Sequence, residues 1–174
     1  MHEVFQQPDF PELLTRLHQL EFDYRDGEGI DFEPYEHFLP INETQDWFRP
    51  WTGNPNADSS KILVFGQDST GGYAAVWTIK ENSNLLEQPI VFLGSEGELG
   101  VVAASFSDYL WVLAVNHGPY EAIAYPDIMK QPNLAFSHFA QQYATTPQRS
   151  IIEILRLANA AFPDFHQYID SMVR

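Results

Sequence analysis

The chain has 174 residues, no cysteine and a formal net charge of −15, with 44% hydrophobic and 14% aromatic residues. That is enough apolar material for one folded domain with a real core, and it excludes a disordered chain. The missing cysteine excludes a disulfide framework and thiolate metal sites, while the acidic balance disfavours nucleic acid and anionic lipid as partners.

Met1–Gln6 shows neither a basic n-region nor an apolar h-region, and no stretch reaches the length of a membrane span. The expectation is a cytoplasmic protein without membrane contact. Asp9-Phe10-Pro11-Glu12 reads as a capping box, opening a helix whose apolar stripe is Phe10, Leu13, Leu14, Leu17 and Leu20. The helix should fade near 22–26, before Gly27 and Gly29.

Residues 27–41 are acidic and broken by Pro34 and Pro40, which predicts an irregular extended stretch in which Phe32, Tyr35, Phe38 and Leu39 need burial. Between Glu21 and Asp46 the acids are Glu21, Asp23, Asp26, Glu28, Asp31, Glu33, Glu36, Glu43 and Asp46, opposed only by Arg25. Such a segment is either a solvated face or a steering surface for a basic partner. Asn42-Glu43-Thr44-Gln45 predicts a cap for a short helix carrying Trp47, Phe48 and Trp51, and 54–60 has loop composition. The Trp47-Phe48-Arg49-Pro50-Trp51 cluster is either core or an anchor for a ligand or protein partner, with Arg49 tethered to the acidic segment.

Strands follow at Lys61–Gln67, Tyr73–Lys80, Pro89–Gly94 and Leu99–Ala104. Ser69–Gly72 and Ser95–Glu98 are tight turns, and Glu81–Gln88 is a polar connection. The links are too short for parallel crossovers, so the sheet is an antiparallel meander. Ser105-Phe106-Ser107-Asp108 caps a helix that Gly118-Pro119 stops. Residues 119–132 read as a connector. Asn133–Tyr143, Thr146–Ala161 (Thr146 as cap, Pro147 first in the helix) and Pro163–Val173 read as helices, the second buried broadly. The fold class is α+β: an antiparallel sheet packed against helices on one face, with an N-terminal helix and a C-terminal helical segment. One domain spans 1–174, with its core over about 9–118 and a helical extension over about 133–174.

No constellation here carries catalysis. Gly66–Tyr73 imitates a phosphate loop, but Gly72 and Tyr73 stand where lysine and a hydroxyl are needed, so it reads as a hairpin. Gly94, Gly97 and Gly100 lack the dinucleotide spacing. The histidines have no metal-ligand spacing, and His117 at a helix end suits a cationic imidazole on the macrodipole. No Gly-x-Ser-x-Gly elbow occurs, and the many carboxylates define no pair. The expectation is no catalytic residue, no metal and no cofactor.

Phe65-Gly66, the polar turn Asp68–Gly72, Tyr73–Trp77, Pro89-Ile90-Val91, Glu96-Gly97 and Ser105-Phe106-Ser107-Asp108-Tyr109-Leu110 together resemble, in order and spacing, the SUKH superfamily (the Smi/Knr-like domain). The resemblance covers about the middle third of the chain. Upstream only Leu39-Pro40 and Thr52-Gly53-Asn54 correspond to family features. It implies an α+β binding domain without catalysis. Many bacterial members look like immunity proteins against toxins, often nucleases, and fungal ones resemble cell-wall-synthesis regulators. The first functional expectation is therefore an immunity-type protein that binds a basic toxin domain through Asp23, Asp26, Glu28, Asp31, Glu33, Glu36, Trp47 and Trp51. A regulatory or scaffold module is second, and a hydrolase or small-ligand domain last.

Overall fold

In the computed structural model, which describes residues 7–81 and 84–174, a five-stranded antiparallel sheet organises the chain. Its strands are β1 (Glu33–Pro34), β2 (Ile62–Gln67), β3 (Tyr73–Trp77), β4 (Ile90–Leu93) and β5 (Leu99–Ala103), side by side in chain order. Around it lie α1 (Glu12–Leu17), α2 (Ile41–Thr52), α3 (Phe106–Ala114), α4 (Pro119–Ala124), α5 (Leu134–Tyr143), α6 (Ile151–Ala161) and α7 (Phe165–Asp170). The α+β architecture and the meander read from the sequence are both present. Met1–Gln6, and Asn82 and Ser83 of the expected polar connection, lie outside the described residues.

Neither face of the sheet is open, which corrects the expectation of a single helix-covered face. Successive strand residues point to opposite sides, so each strand feeds two cores. Leu63, Phe65, Ala74, Val76, Ile90 and Phe92 join the core under α1, α3 and α5. Ile62, Val64, Ala75, Trp77, Val91 and Leu93 join a second core with Phe48 of α2, Ala158 of α6 and Phe165 and Ile169 of α7. Apolar residues at nearly every strand position are the signature of a sheet buried on both sides. Full burial of a side chain such as Phe65 or Phe92 stabilises by about 2 kcal/mol. The C-terminal helices therefore belong to the cores: α5 packs on α3 through Phe136 and Ala140, while α6 and α7 lie along β5.

The helix starts show where local signals were overruled. Ser105 caps α3 as expected, its hydroxyl accepting from Asp108 N–H at 3.3 Å. Asp9 and Asn42 cap nothing: α1 and α2 begin directly after Pro11 and Pro40, which hold extended ψ values of 137° and 143°. A residue preceding proline is pushed out of the helical region, so Phe10 cannot extend α1 backwards. Its ring packs on Phe38 instead, at 4.9 Å between centroids. Thr146 is not the cap of α6. It is bound to Ser107 and accepts the Trp111 indole N–H at 2.9 Å, and Ser150 opens the helix four residues later than expected from the cap at Thr146. Burial of α6 is one-sided, since Ile151, Ile154 and Ala158 are buried but Ile152 is exposed.

Gly118-Pro119 starts a helix rather than stopping one. α3 ends at Ala114, and Asn116 turns the chain at φ +68°. The Glu121 carboxylate then accepts from Gly118 N–H at 3.1 Å and from Asp31 N–H at 2.6 Å. Lys130 approaches the same carboxylate at 4.0 Å and donates to the Gly29 carbonyl at 2.6 Å. This buried junction ties the acidic segment to α4 and to the chain beyond it.

Candidate functional site

α2 presents Glu43, Trp47 and Trp51 at intervals of four, hence on one helix face. The Trp47 and Trp51 rings stack at 5.2 Å, and Trp47 meets Tyr73 of β3 at 4.6 Å. The Trp51 indole N–H donates to the Gly94 carbonyl at 2.8 Å, which locks the stack to the end of β4. Both tryptophans are half-buried and lean on the second core, so the core and surface readings of this cluster each hold in part. Arg49 is not tethered to the acidic segment; it reaches the Ala57 carbonyl at 3.4 Å.

β1 brings acidic residues to the same place. It pairs with β2 in the register Glu33↔Gln67 and Pro34↔Gly66. The Gln67 amide then bridges two groups, donating to Glu33 at 3.0 Å and accepting the Tyr35 hydroxyl at 2.7 Å. The Tyr35 phenol is pushed well above its ordinary pKa, first by burial, then by Tyr73 and the carboxylates Glu33 and Glu43. Burial and then Glu43 raise Tyr73 likewise. Both phenols stay protonated and neutral. Glu33, Glu43, Tyr35, Tyr73, Trp47 and Trp51 thus form one connected acidic and aromatic edge.

The remaining candidates are placed differently. Asp31 is a structural clamp: its carboxylate accepts from Ser69 N–H and Oγ at 2.9 and 2.7 Å, holding the β2–β3 turn. Glu36 is exposed on the bend after β1. Asp23, Asp26 and Glu28 belong to a separate turn, where Asp23 pairs with Arg25 at 3.4 Å and Asp26 is left-handed at φ +52°. Among the described residues, Glu28, Glu33, Glu36, Glu43 and Asp46 make no ion pair.

Tyr35, Tyr73 and Glu43 were missed as members of this face. The Glu43-x₃-Trp47-x₃-Trp51 spacing was the available signal for Glu43; the tyrosines join only through strand register. Asp68 is a hairpin residue, buried and accepting from Gly72 N–H at 2.7 Å and Thr70 Oγ1 at 2.9 Å. His117 is buried, and burial lowers its pKa; its Nε2–H donates to the Ile128 carbonyl at 2.8 Å. The neutral ring corrects the expected cation on the helix dipole. Among the described residues, no three His, Asp or Glu side chains converge as a metal-holding group, and no helix is long and apolar enough to cross a membrane. No protein-family model, curated protein or solved structure matches this chain.

Proposed function

We propose that this chain is a non-enzymatic protein-binding domain of the SUKH type, acting as an immunity protein that captures a basic toxin domain. The observation that carries the reading is the edge where Glu33 and Glu43, without an ion pair among the described residues, flank Tyr35, Tyr73, Trp47 and Trp51. Carboxylates beside aromatic faces suit arginine and lysine, through charge and cation–π attraction together. A nuclease surface is rich in both residues because it grips phosphate. β1 spans only two residues and includes Pro34, which discourages strand addition at this edge, so recognition runs through side chains.

The test is co-purification with a toxin domain encoded beside this chain's gene, at low ionic strength, where steering is strongest. A complex that weakens with salt supports the reading; no complex at low salt defeats it. A salt-insensitive complex with a protein unrelated to toxins favours a regulatory module built on the tryptophan stack.

A further inference from the structure

A groove of about 960 Å³ opens between the turn at Arg25–Glu28, the end of α3, the stretch 126–132 and the start of α6. Its construction differs from the rest of the surface in three respects. First, exposed apolar residues gather here. Of the eight large hydrophobic side chains exposed among the described residues, Ile128, Met129 and Ile152 line the groove, and Tyr24 and Tyr125 adjoin lining residues in the chain. Met129 is 94% exposed at the lip.

Second, the walls are held in an unusual backbone. Arg25, Asp26 and Asn116 are the non-glycine residues with left-handed φ among the described residues; Arg25 and Asn116 line the groove and Asp26 lies between lining residues. Such conformations persist where surrounding contacts over-determine them. Here the Asn116 amide donates to the Glu28 carbonyl at 2.9 Å, and Lys130 holds Gly29. The groove is therefore preformed rather than moulded on demand.

Third, its charges are unequal in availability. Arg25 is paired with Asp23, and Lys130 with Glu121, whereas Glu28 and Asp127 have no ion pair among the described residues. The rim is apolar inside and effectively acidic outside. A second copy of a chain with net charge −15 would set these carboxylates against each other, so self-association is disfavoured.

We propose that this groove takes an extended segment of a partner protein: one or two large apolar anchors flanked by lysine or arginine. The surface is distinct from the edge of β1 and does not rest on the immunity reading.

The test uses the full chain labelled at its methionine methyl groups, titrated with the synthetic peptide KKLFLLKK and its acidic counterpart EELFLLEE. The basic peptide should shift the Met129 signal saturably, leave Met172 unmoved, and bind at least about tenfold more tightly than the acidic one. The double substitution Met129→Ser with Ile152→Ser removes exposed side chains without altering charge, and should weaken binding about tenfold. Glu43→Lys, on the other face, should change it less than about twofold. The proposal is overturned if Met129 does not respond, if the serine variant binds equally well, or if both peptides bind alike. It is also overturned if the Met129 signal moves with protein concentration alone, which would mark the groove as a contact between copies.

Discussion

Acidification should unlock the N-terminal helix through a single histidine. His18, just past the end of α1, sits among the rings of Phe10, Phe22, Phe32 and Phe65, with centroids 5.7 to 6.0 Å away. Its Nδ1–H donates to the Tyr35 carbonyl at 2.6 Å, and Nε2 is buried without a partner. A carbonyl can only accept, so the neutral ring carries its proton on Nδ1. Burial lowers the pKa from 6.5 to about 4, against a smaller opposing effect of the Tyr35 bond. Above pH 7 the ring is neutral whether the chain is folded or not. Between pH 6.5 and about 4 the unfolded chain takes up a proton that the folded one refuses, so stability falls with pH across that window and then levels. The full gap corresponds to about 3 kcal/mol. Carboxylates also titrate there, so the comparison is with His18→Phe, which retains them all. Urea denaturation from pH 7.5 to 3.5 should show the variant gaining about 3 kcal/mol relative to the parent. A flat difference, or a His18 ring that titrates near 6.5 in the folded protein, would refute the reasoning.

Two further substitutions probe the polar elements that hold the acidic segment and the central hairpin. Lys130→Met leaves the Glu121 carboxylate buried without its cation and should cost about 3 kcal/mol in denaturant unfolding. Adding Glu121→Gln should recover part of that loss; no recovery would mean that the pair is not coupled. Asp68→Ala strips the β2–β3 turn of its buried acceptor and should cost about 2 kcal/mol, whereas Asp68→Asn, which can still accept from Gly72, should cost about half as much. Equal losses for both variants would count against the hydrogen-bonding role.

What could be read from the chain followed how local each signal was. The strands were legible because Ile62–Gln67 and Tyr73–Trp77 are short apolar runs separated by a glycine turn, and Gly71 there does hold φ +89°. Both strands are buried at nearly every position, the pattern of a sheet covered on two faces rather than one. Ser105 was read correctly since its cap competes with nothing else. Thr146 has a cap's local sequence but not its role, because Ser107 and Trp111, 39 and 35 residues away, claim its hydroxyl and carbonyl. In Gly118-Pro119-Tyr120-Glu121 the Gly-Pro pair suits a helix stop, but proline at the first position and Glu121 at the third make it a helix start.

The candidate site divided along the same line. Trp47 and Trp51 were visible as a cluster, and the acidic run as a run. That Glu33 and Glu43 meet at the tyrosines depends on β1 pairing with β2, a two-residue strand too short to leave a sequence pattern. Asp31 looked like surface charge but is occupied by Ser69. The groove beside Met129 escaped altogether, as its walls come from four separate parts of the chain.

The central claim is that the edge bearing Glu33, Glu43, Trp47 and Trp51 captures a basic protein. The most direct measurement is the association rate of the co-purified partner with the parent chain and with Glu33→Lys combined with Glu43→Lys, at low and at high salt. The account predicts that the double substitution slows association at least about tenfold at low salt, with the gap closing as salt rises. Equal rates for the two proteins at low salt would contradict it.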